Sequence, residues 1–297
     1  MNKTTASLRR QIGGAEDLQS VVRTMKAVAA SSIGQYESSV RALADYNRSV
    51  ELGLSAALRG SAQPISITEG KPQLGSRDAV VFGSDQGLVG QFNDIVADFA
   101  FKTLSELPGT SRVWAVGERV SGRLADSGLP VLGQFELPAS VKGIVPLVGQ
   151  ILVESEERRE RDNVAELYLF YNRPQSAAVY SPVVQRLLPL DQEWLRNLHT
   201  IPWPSGRYSE VFGDGISTLG ALINEYLFVS LFRSCAESLA SENASRLAAM
   251  QRADQNIDEL LTELNGDFHR MRKAGIDEEL FDVIASFDSL QGDSRQR

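Results

Sequence analysis

Apolar side chains recur along the first 60 residues in steps of three and four. The series runs Leu8, Ile12, Ala15, Leu18, Val22, Met25, Ala29, Ile33, Tyr36, Val40 and Leu43, then resumes at Val50, Leu54 and Leu58. Such spacing lays one stripe along one face of a helix. A second series, close to the 3.5-residue repeat of a coiled coil, begins at Leu219. It continues through Leu222, Tyr226, Val229, Ala236, Leu239, Asn243, Leu247, Met250, Ile257, Leu260, Leu264, Phe268 and Met271. Both stripes are rich in alanine, the second carries the polar Asn243, and Gly13-Gly14 weakens the first helix by roughly 1–2 kcal/mol relative to alanine. Between them the pattern changes. Short apolar runs at Asp78 to Gly83, Arg112 to Gly117 and Ala165 to Asn172 predict strands. Helical spacing follows at Phe92 to Leu107, Glu118 to Asp126 and Ser140 to Glu156, and the charged run Glu154 to Asp162 predicts a solvated helix end and loop. Alternating strands and helices predict a mainly parallel, doubly wound sheet.

Proline placement divides the chain the same way. All 11 prolines lie between Pro64 and Pro204. Proline breaks helix interiors, so two proline-free ends predict two long helices around an α/β domain. The expected divisions are residues 1–60, 61–204 and 205–297. A helix of ~50 residues would be ~75 Å long, longer than a compact domain of this size. The two helices are therefore expected to leave the domain and pair as a long antiparallel coiled coil beside a Rossmann-like fold. A helical bundle folded on itself is the competing arrangement, but no turn signals break either end into short helices.

Composition narrows the function. A net charge of -8 disfavours nucleic-acid binding. The single cysteine, Cys235, can form neither an internal disulfide nor a multi-thiolate metal site. His199 and His269 stand in no metal-ligand spacing. No stretch reads as the ~20 apolar residues that span a bilayer, and no signal core begins the chain. An intracellular protein is expected, with any membrane association through a partner. Cofactors and metals are not expected.

Little else suggests catalysis. The segment Asp85 to Asn93 is a glycine turn between a strand and a helix, a place that can cradle phosphate. It lacks both the GxGxxG spacing and a P-loop lysine. Gly87 and Gly90 more simply allow a tight turn and close helix packing. Cys235 reads as a small buried residue, His269 as an exposed helix residue, and Trp203 between two prolines as part of a rigid linker. On these residues two further functions stay open. One is a nucleotide-binding α/β enzyme with coiled-coil dimerisation arms, and the other a coiled-coil adaptor.

Three ordered blocks carry a family resemblance. The first is Arg9-Arg10-Gln11-Ile12 with Thr24-Met25-Lys26-Ala27-Val28-Ala29-Ala30-Ser31. The second is Ser84-Asp85-Gln86-Gly87-Leu88-Val89-Gly90-Gln91-Phe92-Asn93. The third, and most specific, runs from Glu237 to Met250 and is followed by Asp254, Asn256 and Arg272 to Ile284. In this order they resemble the gamma subunits of F-type ATP synthases over nearly the whole chain. There are departures. The family usually has lysine at Ser32, cysteine at Val89 and often glycine at Gln91. It commonly has glutamine at Lys273 and Thr-Gln-Glu at Asp277-Glu278-Glu279. These differences point to a divergent branch, as of an alternative ATP synthase beside a standard one.

The resemblance implies a central-stalk rotor with no catalytic site of its own. It would couple proton or sodium flow to ATP synthesis or hydrolysis on a ring of alpha and beta subunits. Its α/β foot would sit beside an epsilon subunit on the membrane ring of c subunits, peripheral to the cytoplasmic face. Motif matching assigns Arg9, Arg10, Met25, Lys26, Arg246, Arg272, Glu278 and Glu279 to contacts with the surrounding ring. Leu280, Phe281, Val283, Ile284 and Phe287 would form an apolar bearing tip. Taken without the resemblance, the charged residues read as exposed surface charges worth ~0–1 kcal/mol each, and the tip as packing against the first helix. Charge is compatible with pairing of the two ends: residues 1–60 carry eight basic and five acidic side chains, and residues 205–297 nine and sixteen. The tail after Leu290 carries no motif.

Overall fold

The computed structural model describes residues 4–60, 76–162, 164–176, 179–190, 192–204 and 215–293. Among these residues six helices and five strands follow in the order α1 (Thr5–Gly60), β1 (Ser76–Phe82), α2 (Phe92–Glu106), β2 (Ser111–Val116), α3 (Glu118–Asp126), β3 (Val131–Phe135), α4 (Val141–Asp162), β4 (Val164–Ser176), β5 (Val179–Leu188), α5 (Gln192–Thr200) and α6 (Gly215–Asp293). The chain divides into two compact units, residues 29–248 and residues 1–28 with 249–297.

In the larger unit the strands form one sheet in the order β3-β2-β1-β4-β5. The first four run parallel, and β5 pairs antiparallel with β4. Side-chain alternation along the strands feeds two cores, because successive residues of a strand point to opposite faces. On one face Ala79, Val81, Ala115, Tyr168 and Phe170 meet Val96, Ala97, Ala100 and Leu104 of α2 and Val120 and Leu124 of α3. On the other, Val80, Phe82, Leu167, Leu169 and Tyr171 meet Ile144, Leu147, Val148 and Ile151 of α4, with Leu231, Phe232, Cys235 and Leu239 of α6. Tyr36 of α1 belongs to this second core. A third cluster joins Val50, Leu54 and Ala57 of α1 to Leu219 of α6 and Leu198 of α5.

α1 and α6 run antiparallel in this unit. Tyr46 donates to Glu225 at 2.6 Å, while Tyr36, nearer the chain start, feels the charge of Glu242 farther along α6. In the smaller unit the same direction holds. Lys26 pairs with Asp254 at 2.7 Å and Arg23 with Asp254 at 3.3 Å, and Gln19 donates to Asp258.

Several expectations change. Leu18 is 61% exposed, and the neighbouring Gln19 takes the inward position, where its amide meets Asp258. Leu260 is likewise exposed, with Leu261 half-buried beside it. The charged run Glu154 to Asp162 is a helix end with Glu156, Glu157, Arg159, Glu160 and Arg161 exposed, as expected, but it holds no loop and one of its charges turns inward. It is the last part of α4, and Arg158 is buried, donating to the buried Asp78 at 2.8 Å. Arg112 reaches the same carboxylate at 3.2 Å. α6 also holds one stretch long and apolar enough to cross a bilayer, which was not expected. That stretch is 33% buried within the chain, and Leu231 of α6 lies on the sheet core.

Two glycines beside the loop after β1 are sterically required. A Cβ at Gly83 would lie 2.2 Å from Val120 Cβ. Gly117 has φ +112°, and a Cβ there would stand 2.8 Å from the Ser84 backbone. By contrast a Cβ at Gly14, inside α1, meets nothing within 4 Å. Gly117→Ala is therefore expected to destabilise the chain by about 2 kcal/mol or more. Gly14→Ala is expected to stabilise it by roughly 0.5–1 kcal/mol. Denaturant unfolding of both variants checks this; equal midpoints would contradict it.

Candidate functional site

The carboxyl ends of β1 and β4 form the place where a doubly wound sheet usually binds a ligand. β1 leads to β2 on one side, and its other neighbour is β4, so a crevice opens between them. In this chain the crevice is filled by the protein itself. The loop after β1 closes on itself first. Ser84 N–H donates to Asn93 Oδ1 at 2.9 Å, and Asn93 Nδ2 donates to Ser84 Oγ at 2.8 Å. Asn172, at the end of the β1-facing part of β4, donates through Nδ2 to the Phe92 carbonyl at 3.0 Å.

The helix α6 then lies over the loop and strand. Ser241 Oγ donates to the Asn172 carbonyl at 2.9 Å, and Ser245 Oγ donates to the Val89 carbonyl at 2.6 Å. One residue pair earlier on the same face, Glu237 accepts from Arg173 Nε at 2.9 Å and from Arg233 Nε at 2.7 Å. The two segments that carry the most specific resemblance, 84–93 and 237–250, are thus in direct contact.

A phosphate at the segment Asp85 to Asn93 would be held by amides at the N-terminus of α2. There the Phe92 N–H donates to the Val89 carbonyl at 3.3 Å. The carboxylate of the turn serves the neighbouring helix instead: the Glu118 N–H, in the first turn of α3, donates to Asp85 Oδ1 at 2.9 Å, and the Leu137 N–H donates to Oδ2 at 3.2 Å. The turn's special conformations also fall differently from expectation. Gly90 has φ +59°, but the other positive φ belongs to Leu88 at +63°, not to Gly87. Leucine is held there at a cost of roughly 1–2 kcal/mol, with its side chain 63% exposed.

Under Ser245 sits a buried acidic centre. Glu242 is 3% exposed and accepts from Arg246 Nη2 at 2.6 Å. Burial pushes its carboxyl above the usual range, Arg246 opposes that rise, and the Asp85 carboxylate adds to it. Tyr36 is pushed up to about 12 by burial and then by Glu242 and Cys235. The Cys235 thiol is raised by its complete burial, so it is held as a neutral thiol rather than a nucleophile.

The residues matched to ring contacts fall in different settings. Arg9, Arg10, Arg272, Glu278 and Glu279 are exposed, and Met25 is half-buried. Lys26 is engaged by Asp254, and this hydrogen bond is the main cause holding the Asp254 carboxyl below its usual range. Arg246 is turned inward, its side chain 13% exposed against Glu242. Near the end of α6, Leu280, Phe281, Val283 and Ile284 are all exposed, and Ile276 with them. Phe287 lies outside the described side chains. Sequence reasoning missed the centre of the arrangement: Asn172, Ser241 and Ser245 are ordinary polar residues, and only their contacts reveal them. The two serines lay inside the block Glu237 to Met250, where no role was assigned to them, and Asn172 of β4 carried no signal.

Glu242 gives a pH dependence. Its folded carboxyl titrates higher than the unfolded one, so the fold binds more protons above pH 4.5. Stability from this group is present at low pH and lost as pH rises through the folded value. The stability of the native chain relative to a Glu242→Gln variant is expected to fall as pH rises from 4.5 to 7. Urea titrations at several pH values measure it, and a pH-independent difference would contradict the account.

Comparison with known proteins agrees with the resemblance. The family model described as ATP synthase matches residues 4–290. The ATP synthase gamma chain of Brevibacillus brevis is 26% identical over 297 residues, covering 96% of this chain and 98% of the relative. That of Clavibacter sepedonicus is 28% identical over 294 residues, covering 95% and 96%. Among solved structures, a chain of the Euglena gracilis mitochondrial ATP synthase (OSCP/F1/c-ring, rotational state 3) superposes with a TM-score of 0.65 at 16% identity. The match covers 96% of this chain and 94% of that one. A chain of the Tetrahymena thermophila central stalk and c-ring gives 0.55 at 21% identity, covering 78% and 99%. At these identities the structures speak for the fold, while the match along the sequence speaks for descent: the chain belongs to the ATP synthase family.

Proposed function

We propose that this chain is the central-stalk rotor subunit of an F-type ATP synthase and that catalysis occurs on other subunits of the complex. The observation that carries the reading is the family match from residue 4 to residue 290, both long helices and the α/β domain included. The filled crevice supports it, because the one place in the sheet suited to a nucleotide is closed by Asp85, Asn172, Ser241 and Ser245. That arrangement counts against the enzyme reading.

The physical role is asymmetry. Chemically identical catalytic sites on a ring differ only if something contacts them differently. A shaft inside a ring of alpha and beta subunits does this, and the coupling is reciprocal. Shaft angle sets nucleotide affinity, and nucleotide occupancy sets shaft angle. In this reading Arg9, Arg10, Met25, Arg272, Glu278 and Glu279 touch the ring. Lys26 and Arg246 do so only with the part of each side chain not engaged by Asp254 and Glu242. The exposed Leu280, Phe281, Val283 and Ile284 form the apolar tip, a bearing surface without directional bonds to resist turning. In this reading the α/β domain contacts epsilon and the ring of c subunits. The protein is peripheral, held at the cytoplasmic face of the membrane by the complex.

The test is co-purification of the tagged chain from its host. Recovery of alpha, beta and epsilon subunits with one copy of this chain per complex is expected. Recovery of the chain alone, or only as a self-dimer, would overturn the assignment.

A further inference from the structure

We propose that the row Glu237, Ser241 and Ser245 on α6 is the joint that transmits torque between this helix and the α/β domain, with Ser241 and Ser245 as positioning residues that fix the helix against rolling. The proposal rests on the rotor reading above. Residues four apart on an α-helix stand in one row. All three members are buried, at 5%, 1% and 8% exposure. Each contacts a different point of the domain: Glu237 the Arg173 guanidinium, Ser241 the Asn172 carbonyl, and Ser245 the Val89 carbonyl.

The apolar contact level with the row does less of this work. There α6 presents Cys235, Ala236, Leu239 and Ala240 to the sheet core, while the larger Leu231 and Phe232 pack before the row. Apolar burial is non-directional. It opposes lifting the helix off the sheet, but level with the row the small Cys235, Ala236 and Ala240 interlock shallowly and resist rotation about the helix axis only weakly. Hydrogen bonds to carbonyls are directional and weaken steeply when misaligned. A roll of α6 must break the serine bonds before it disturbs much of the apolar contact.

The receiving side is built to carry load. The Asn172 carbonyl is backbone of β4, which is paired to β1 and β5. The Val89 carbonyl belongs to a loop that is itself anchored three ways. Asn93 closes it on Ser84, Asn172 holds Phe92, and Asp85 clamps it to the amides of Glu118 and Leu137. Force entering at Ser245 therefore reaches α3 and the segment after β3, and force entering at Ser241 reaches the middle of the sheet. This gives the segments 84–93 and 237–250 a shared purpose: they are the two halves of one joint.

The test uses the assembled complex in inverted membrane vesicles. ATP hydrolysis and ATP-driven ion uptake are measured together while the opposing ion gradient is raised. For a Ser241→Ala/Ser245→Ala variant, hydrolysis is expected to stay at the native rate. Ions moved per ATP should fall at least about twofold near the stalling gradient, as two ordinary hydrogen bonds no longer oppose the roll. Ser245→Thr, which keeps the hydroxyl, should restore the ratio in the Ser241 background. A native ratio at every gradient in the double variant would overturn the joint. A second variant, Val89→Cys/Ser245→Cys, covers failure of the first to assemble. Native coupling with the disulfide closed supports a joint that stays shut during turnover. Coupling lost on oxidation and recovered on reduction would overturn it. If the unsubstituted chain itself does not assemble with alpha and beta subunits, the rotor reading fails. If it assembles and the serine variants are indifferent, only the joint fails.

Discussion

A helix buried on nearly every side is stabilised by partners for the polar groups it carries, because an unpaired buried group, as Ser238 Oγ is here, costs about 1–3 kcal/mol. Between Val229 and Ser245 only Arg233 of α6 is exposed. The stretch nevertheless holds five serines, two glutamates and Asn243. Ser234 and Asn243 turn back to carbonyls of their own helix, at Ser230 and Leu239. Glu242 takes Arg246. Glu237, Ser241 and Ser245 are satisfied by the domain. Satisfying those last three groups at once ties the seat of the helix to the loop 84–93 and to the end of β4, and so to the closure of the sheet crevice. An α/β domain that in other proteins would hold a ligand at this point holds a piece of its own chain.

Charge plays the weaker part. The excess of basic residues in 1–60 and of acidic residues in 205–297 favours pairing. The ties seen at Arg23, Lys26 and Asp254 are largely at the surface, and screened pairs of this kind contribute little stability each. They are better suited to setting register between α1 and α6. Gln19 makes the same point: a polar side chain turns inward to reach Asp258 while Leu18 is left in solvent. Leu18, Val21 and Val28 of α1, and the apolar residues near the end of α6, remain exposed within the chain. A surface of that kind suits a subunit enclosed by others.

The fold class was readable because its signals are long and redundant. Proline-free ends with three-and-four spacing and apolar runs bounded by glycine each repeat enough to survive local exceptions. The elements missed are those where one residue contradicts the pattern. β5 carries Pro182, tolerable because the strand lies at the sheet edge. β3 is five residues with Gly133 inside, and that glycine is there because Trp114 covers its Cβ position at 2.6 Å. α5 is nine residues, too short to establish a period. Arg158 was read as solvated because a run of charges hides the one member that turns inward to Asp78. The candidate site was legible only as two separate motifs. Their contact joins residues 156 positions apart, Val89 and Ser245, and no local pattern encodes such a distance.

The central claim is that this chain turns as a shaft while other subunits perform the chemistry. It is tested most directly by fixing the purified complex to a surface through its beta subunits and attaching a bead to the α/β domain of this chain. On addition of ATP the account predicts sustained rotation in one direction, stopping when hydrolysis is inhibited. A bead that stays fixed, or only fluctuates about one angle while ATP is hydrolysed, would contradict it.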